Sequence, residues 1–178
     1  FASRLDPQAP TEQHRAVLER AQRLSTTLRG CEQMDAQPRS NAFDDPFVQA
    51  TAAMPGCPVP EGPLYSAQEV RELAHERAQH GGSCYRSGRC RLPNSYLYDA
   101  EIVPRVRQFI REDGRFDDTS VWVLGQRRIV TLTGCVRSVE QGRALEQAVG
   151  LVDDVIGVVN LLHVPGEGVA PRYPLARP

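Results

Sequence analysis

Hydrophobic positions in the second half of the chain change period several times, and each change marks an element. Behind Asp99, residues Ile102, Val106, Phe109 and Ile110 recur at helical spacing, and Gly114 ends the run. Asp99 is the expected N-cap. Pro104 fits only a first turn, so this helix is expected either to start near residue 103 or to distort there. "TSVWVLG" (119–125) and "IVTLTGCV" (129–136) then alternate with period two, and "GQRR" between them reads as the turn of a hairpin. Helical spacing returns over 138–152, with Ser138 and Gln141 as a capping box and Ala144, Leu145, Ala148 and Val152 as the inner stripe. "VIGVVNLLHV" (155–164) reads as a third strand. The order helix, strand, strand, helix, strand predicts an α+β fold. It is an αββαβ sandwich with a three-stranded mixed sheet and both helices on one face. The crossover helix makes the second and third strands parallel.

That sheet has apolar residues on both faces. In the third strand Val158, Leu162 and Val164 point one way, Val159 and Leu161 the other. In the second strand Val130, Leu132 and Val136 share the helix side, and Ile129, Thr131, Thr133 and Cys135 share the far side. A sheet with helices on one side should alternate apolar with polar, so something should cover the far face. The expected cover is the chain's own N-terminal half; the alternative is another subunit or protein.

The N-terminal half is patterned more weakly. Residues 9–30 predict a helix with Val17, Leu18, Ala21, Leu24 and Leu28 on one side, Thr11 as N-cap and Gly30 as stop. Residues 31–64 are loop-rich. One short helix is expected there, capped by Asp45, with Pro46 at its first position and Pro55-Gly56 as its stop. Over 66–82 a clearer helix opens on the capping box Ser66/Glu69, carries Val70, Leu73, Ala74 and Ala78, and stops at Gly81-Gly82. His75 and His80 are five apart and read as surface residues. The chain thus divides into an N-terminal helix (1–30), a cysteine-containing segment (31–97), an αββαβ domain (98–165) and a disordered or extended tail (166–178).

Composition narrows the function classes. The 178 residues carry a net charge of −1, which gives no global attraction to nucleic acid. All basic residues are arginine. No run of about 18 apolar residues marks a transmembrane helix. The five cysteines are Cys31, Cys57, Cys84, Cys90 and Cys135, four of them within a loop-rich stretch, as in disulfide-stapled exported proteins. Those four allow three pairings; Cys84–Cys90 ranks first, with Cys31–Cys57 as its complement. Cys135, on the far face of the sheet, is then expected to be a buried free thiol. Metal-binding knuckles, redox Cys pairs and haem motifs are absent, so no metal or cofactor is expected. No nucleophile elbow, phosphate loop or zinc-protease motif occurs either. Asp44-Asp45 and Asp153-Asp154 read as turn residues, and His163 as structural.

The pattern "D..I...V...I" at Asp99, Ile102, Val106 and Ile110, then "VTLTG.V" from Val130 to Val136, then "V..VVN.L.V" from Val155 to Val164, resembles the BON domain, an αββαβ module of bacterial envelope proteins. The resemblance covers residues 98–164. It departs from the family in two places. Asp154 stands where the family has glycine, and Gly125 comes early, with "QRR" intervening, so a longer and more basic hairpin tip is expected. The resemblance implies periplasmic or envelope residence after removal of a signal peptide, no catalysis, and binding to phospholipid surfaces or envelope proteins in support of envelope integrity. Many members carry two copies, whereas one is visible here. The alternative is an accessory subunit of an envelope or secretion assembly without lipid affinity of its own. An anionic lipid surface needs exposed cations near apolar groups. The candidates are Arg86, Arg89 and Arg91 with Tyr85, Tyr96 and Tyr98; Arg127 and Arg128 at the hairpin tip; and Arg105, Arg107 and Arg111 on the first BON-like helix.

Overall fold

A computed structural model describes residues 19–20, 38–166 and 168–177. The expected helix over 9–30 lies outside the described residues except for Glu19 and Arg20, which are helical, and Cys31 lies outside them as well. Arg39–Pro178 forms one folded unit.

Its core is the predicted sandwich with an addition. Helix α1 spans Ala67–Gly81 and opens on the Ser66/Glu69 capping box; a single turn, α2 (Ser83–Arg86), and a 3₁₀ turn (Ser95–Tyr98) lead into α3 (Asp99–Asp113). Strands β2 (Ser120–Gln126) and β3 (Ile129–Cys135) form the hairpin, α4 spans Val139–Val149, and β4 covers Gly157–Asn160. Pro104 sits inside α3. The carbonyl that proline leaves without a donor belongs to Ala100, which is exposed and open to water. Gly114 adopts the left-handed conformation that ends the helix. Ile102, Val103, Val106 and Ile110 of α3 and Leu145, Ala148 and Val149 of α4 are buried against Val121, Val123, Val130 and Leu132. Close approach of α3 depends on Gly125, where a Cβ would lie 2.6 Å from Val103 Cγ2. The stripe on α1 is shallower: Val70 and Leu73 are half-buried, and Ala74 and Ala78 are exposed.

Among the described residues the sheet has four strands rather than three, a strand at Phe47–Ala52 (β1) followed in order by β2, β3 and β4. The extra strand, β1 (Phe47–Ala52), is the stretch expected to be a short helix. "FVQATA" alternates, and Val48 and Ala50 turn toward the core, so pairing with β2 outweighs the Asp-Pro start signal. Asp45 therefore caps no helix. β1 pairs antiparallel with β2 (Val48 opposite Val123), with a bulge at Ala50, and β3 pairs parallel with β4 (Val130 opposite Val158).

The far face is covered in part by the chain itself. Cys57 is bonded to Cys135, so Cys135 is buried but not a free thiol, and the expected Cys31–Cys57 bridge does not form. The topology explains this: Ala53 donates to Thr119 O and Met54 N–H to Ser120 Oγ, which carries residues 53–57 across the end of β2 to the last residue of β3. Cys84 is bonded to Cys90. The C-terminal tail, expected to be disordered or extended, is tied to the fold at two points. Leu175 bridges Pro60, and Tyr173, 4% exposed, donates its hydroxyl to Pro58 O. Ile129 and Val159 remain 36% and 43% exposed on that face.

One polar atom under this cover has no partner among the described residues. Thr133 Oγ1 is buried without a hydrogen bond. Thr133→Val should therefore raise the unfolding free energy by about 1 kcal/mol, because it removes an unsatisfied hydroxyl at constant shape. Urea melts of the two proteins check this, and a loss of stability would mean the hydroxyl is satisfied in solution.

Candidate functional site

Four of the predicted cations, Arg91, Arg105, Arg127 and Arg128, meet at the hairpin tip. Gln126 pairs with Ile129, which leaves Arg127-Arg128 as a two-residue loop, shorter than the tip expected from sequence. Both arginines have positive φ (56° and 67°), the geometry of a type I′ turn, which normally selects Asn-Gly. Asp99, the first residue of α3, compensates: its two carboxylate oxygens accept the N–H groups of Arg127 and Arg128, each at 2.7 Å. Sequence reading made Asp99 a helix cap; its work is across the fold. Asp99 is buried, and burial pushes its carboxyl up to about 6 against the downward pull of the two N–H donors. Asp154, standing where the BON-like pattern has glycine, takes the left-handed conformation at φ 73°. Its carboxylate pairs with Arg105 and Arg128.

The cysteine loop packs onto this tip. Arg128 Nη1 lies 3.2 Å from Cys90 Sγ, and its guanidinium stacks 4.6 Å from the centre of the Tyr98 ring. Arg91 stacks on the same ring at 5.2 Å and pairs with Glu101 at 2.8 Å. The Tyr98 hydroxyl accepts the N–H groups of Arg91 and Leu92. Arg91 and Arg128, far apart in sequence, thus share one aromatic ring. Arg86 and Arg89 do not join them: Arg86 donates to Gln79 O and Arg89 to Ser87 Oγ. Of the five candidate arginines at the cysteine loop and hairpin tip, only the Arg127 side chain has no hydrogen-bond or ion-pair partner among the described residues.

A second polar cluster was missed in the sequence. The buried Asp45 carboxylate accepts from Tyr65 Oη (2.8 Å), Gln126 Nε2 (2.8 Å) and Arg77. Arg77 is sandwiched between Phe43 and Tyr96, 4.0 and 4.2 Å from their ring centres. Burial, then Asp45, pushes the Tyr65 hydroxyl up to about 12. No spacing rule joins residues 43, 45, 65, 77 and 126. The cluster is saturated with internal partners, so it anchors β1 and α1 to the sheet rather than presenting chemistry.

Besides Arg127, free charge lies on α3. A groove of about 560 Å³ runs between the outer edge of β1 with the residue that follows it (Gln49–Ala53) and α3, walled by Arg107, Arg111 and Asp117. Arg107 and Arg111 also line an adjoining cavity of about 450 Å³ with Gln108 and Glu112. Both arginines are exposed and have no partner among the described residues. Arg105 on the same helix is committed to Glu101 and Asp154. Among the described residues no group of three or more His, Cys, Asp or Glu is placed to hold a metal ion. None of their helices is long and apolar enough to cross a membrane.

The order α3-β2-β3-α4-β4, with β3 and β4 parallel, is the arrangement implied by the sequence resemblance, and the family model of the BON domain matches residues 98–166. This segment is a BON domain. The match leaves residues 1–97 outside it, so β1, the cysteine loop and α1 are additions that this chain builds onto its BON domain. No curated protein is significantly similar to the chain. The BON family is generally non-enzymatic and typical of the periplasm and envelope.

Proposed function

We propose that this protein is an exported, non-catalytic binding module of the bacterial envelope whose ligand is another envelope protein. The observation that carries this reading is the pairing state of the arginines. Those around the cysteine loop and hairpin tip are largely taken up by Glu101, Asp154 and main-chain carbonyls, whereas Arg107 and Arg111 stand free beside an open strand edge. The two disulfides support export, since such bonds persist outside the reducing cytosol.

A second reading, docking on anionic phospholipid, has one observation in its favour: Tyr85 is half-exposed at the cysteine loop, next to Arg86 and near Arg89. Co-sedimentation of the full chain with phosphatidylcholine vesicles, with and without phosphatidylglycerol, across a salt series separates the two. The protein is expected to remain in the supernatant in every case. Retention on anionic vesicles at low salt, abolished by Arg86→Glu with Arg89→Glu, would transfer the proposal to lipid.

A further inference from the structure

The edge of β1 is an incomplete sheet. Its inner side pairs with β2, and among the described residues no other strand or side chain bonds to its backbone. Unprotected edges invite another chain, and proteins usually blunt them with charge, proline or a cover. "FVQATA" has neither charge nor proline, and its one irregularity is the bulge at Ala50. What lies beside the edge is a groove with two unpaired guanidinium groups on its helix wall.

The geometry points to an occupant: we infer that an extended polypeptide segment with carboxylates at alternate positions adds to β1 as a fifth strand. This rests on the protein-binding reading above and specifies the partner's chemistry. Arg107 and Arg111 are one helical turn apart, about 6 Å along α3. Side chains on one face of a strand repeat about every 6.7 Å. Two acidic residues at i and i+2 therefore match the two arginines in spacing and sign, while main-chain hydrogen bonds to β1 provide the affinity. Asp117 sets the polarity of the fit. It lies two residues before Thr119, whose carbonyl accepts the Ala53 N–H, so it stands at the Ala53 end of the groove. A carboxylate is disfavoured there, and the segment presents a basic or neutral residue at that end. Arg105, being paired, does not take part.

The test uses the full-length oxidised protein and fluorescent octapeptides in an anisotropy titration. One peptide alternates glutamate with valine, a second replaces glutamate with lysine, and a third is the acidic peptide N-methylated at alternate amides. The acidic peptide should bind, and both the lysine and the N-methylated peptides should bind about tenfold or more weakly. Arg107→Glu with Arg111→Glu, both exposed and outside the core, should lose the acidic peptide and gain the lysine one. Equal binding of the N-methylated peptide would refute strand addition. Unchanged acidic binding by the double variant would refute the arginine wall, and no binding of any peptide would remove the inference. Vesicle sedimentation is independent of all three, so failure of the groove and failure of the protein-binding reading are told apart.

Discussion

Serine at both Cys57 and Cys135 should lower the unfolding free energy by about 4.5 kcal/mol, the chain-entropy value for a loop of this span. The bridge joins positions 78 residues apart, whereas Cys84–Cys90 closes only six. On the same entropy argument the short bridge contributes about 2 kcal/mol, so Cys84→Ser with Cys90→Ser is the natural comparison. The long bridge has a second effect. It fixes residues 53–57 over the far face of β2 and β3, and Tyr173 of the tail packs on the adjoining Pro58. Breaking it should loosen the tail as well, which hydrogen exchange at Glu61 and Ala176 would detect, since both donate their N–H across that contact. Reductant, which opens both bridges, should destabilise the natural protein by more than the Cys57/Cys135 serines alone. The pairing leaves Cys31 as the one cysteine outside both bridges, so thiol titration in denaturant without reductant should count a single thiol. Three thiols, with stability unaffected by the serines, would show that Cys57 and Cys135 are not bonded in solution.

What the sequence carried and what it hid divide along physical lines. The BON segment was legible because each of its elements has its own period and an apolar stripe, and α4 its Ser138 cap as well: Ile102, Val106 and Ile110 on α3, Leu145 and Ala148 on α4, Val130 and Leu132 on β3 are all buried as spaced. Strand β1 was not legible. Its six residues follow Asp-Pro, a helix-start signal, and nothing local states that β2 has a vacant side; tertiary pairing decides such a short apolar run. Likewise the partner of Cys57 depends on a β1–β2 register that no spacing reveals. The candidate arginines were nameable as cations, but their availability was not. Arg128 and Arg105 both end on Asp154, a residue singled out in sequence only for its turn conformation. Arg107 and Arg111 prove, with Arg127, the least encumbered of the candidates, because the carboxylates that neutralise Arg91, Arg105 and Arg128 are brought in by the fold.

Asp99→Ala should be comparably severe. It removes the acceptor of two N–H groups in a turn where both residues already hold the left-handed conformation, at about 1–2 kcal/mol each for non-glycine residues. Leaving two partly buried donors unpaired adds about 1–3 kcal/mol apiece, so a loss of about 4 kcal/mol is expected. A double-mutant cycle isolates the clamp. In a chain with Arg127→Asn and Arg128→Gly the turn needs no external hold, and the same Asp99→Ala change should then cost markedly less. An undiminished loss would assign Asp99 to α3 alone. The pH dependence gives a further handle. With its carboxyl pushed up to about 6, above the ordinary aspartate value near 4, the folded chain holds this proton more tightly than the unfolded chain. Between those values the folded state carries more protons, so this group's contribution to stability falls as pH rises from about 4 to about 6 and is flat above, a total of about 3 kcal/mol. Asp99→Asn, which keeps one acceptor oxygen and cannot ionise, should lack that decline. Urea melts at both ends of the window, natural protein against the Asn variant, measure it directly. A stability difference that grows with pH would mean that the two N–H donors outweigh burial and hold the carboxylate ionised.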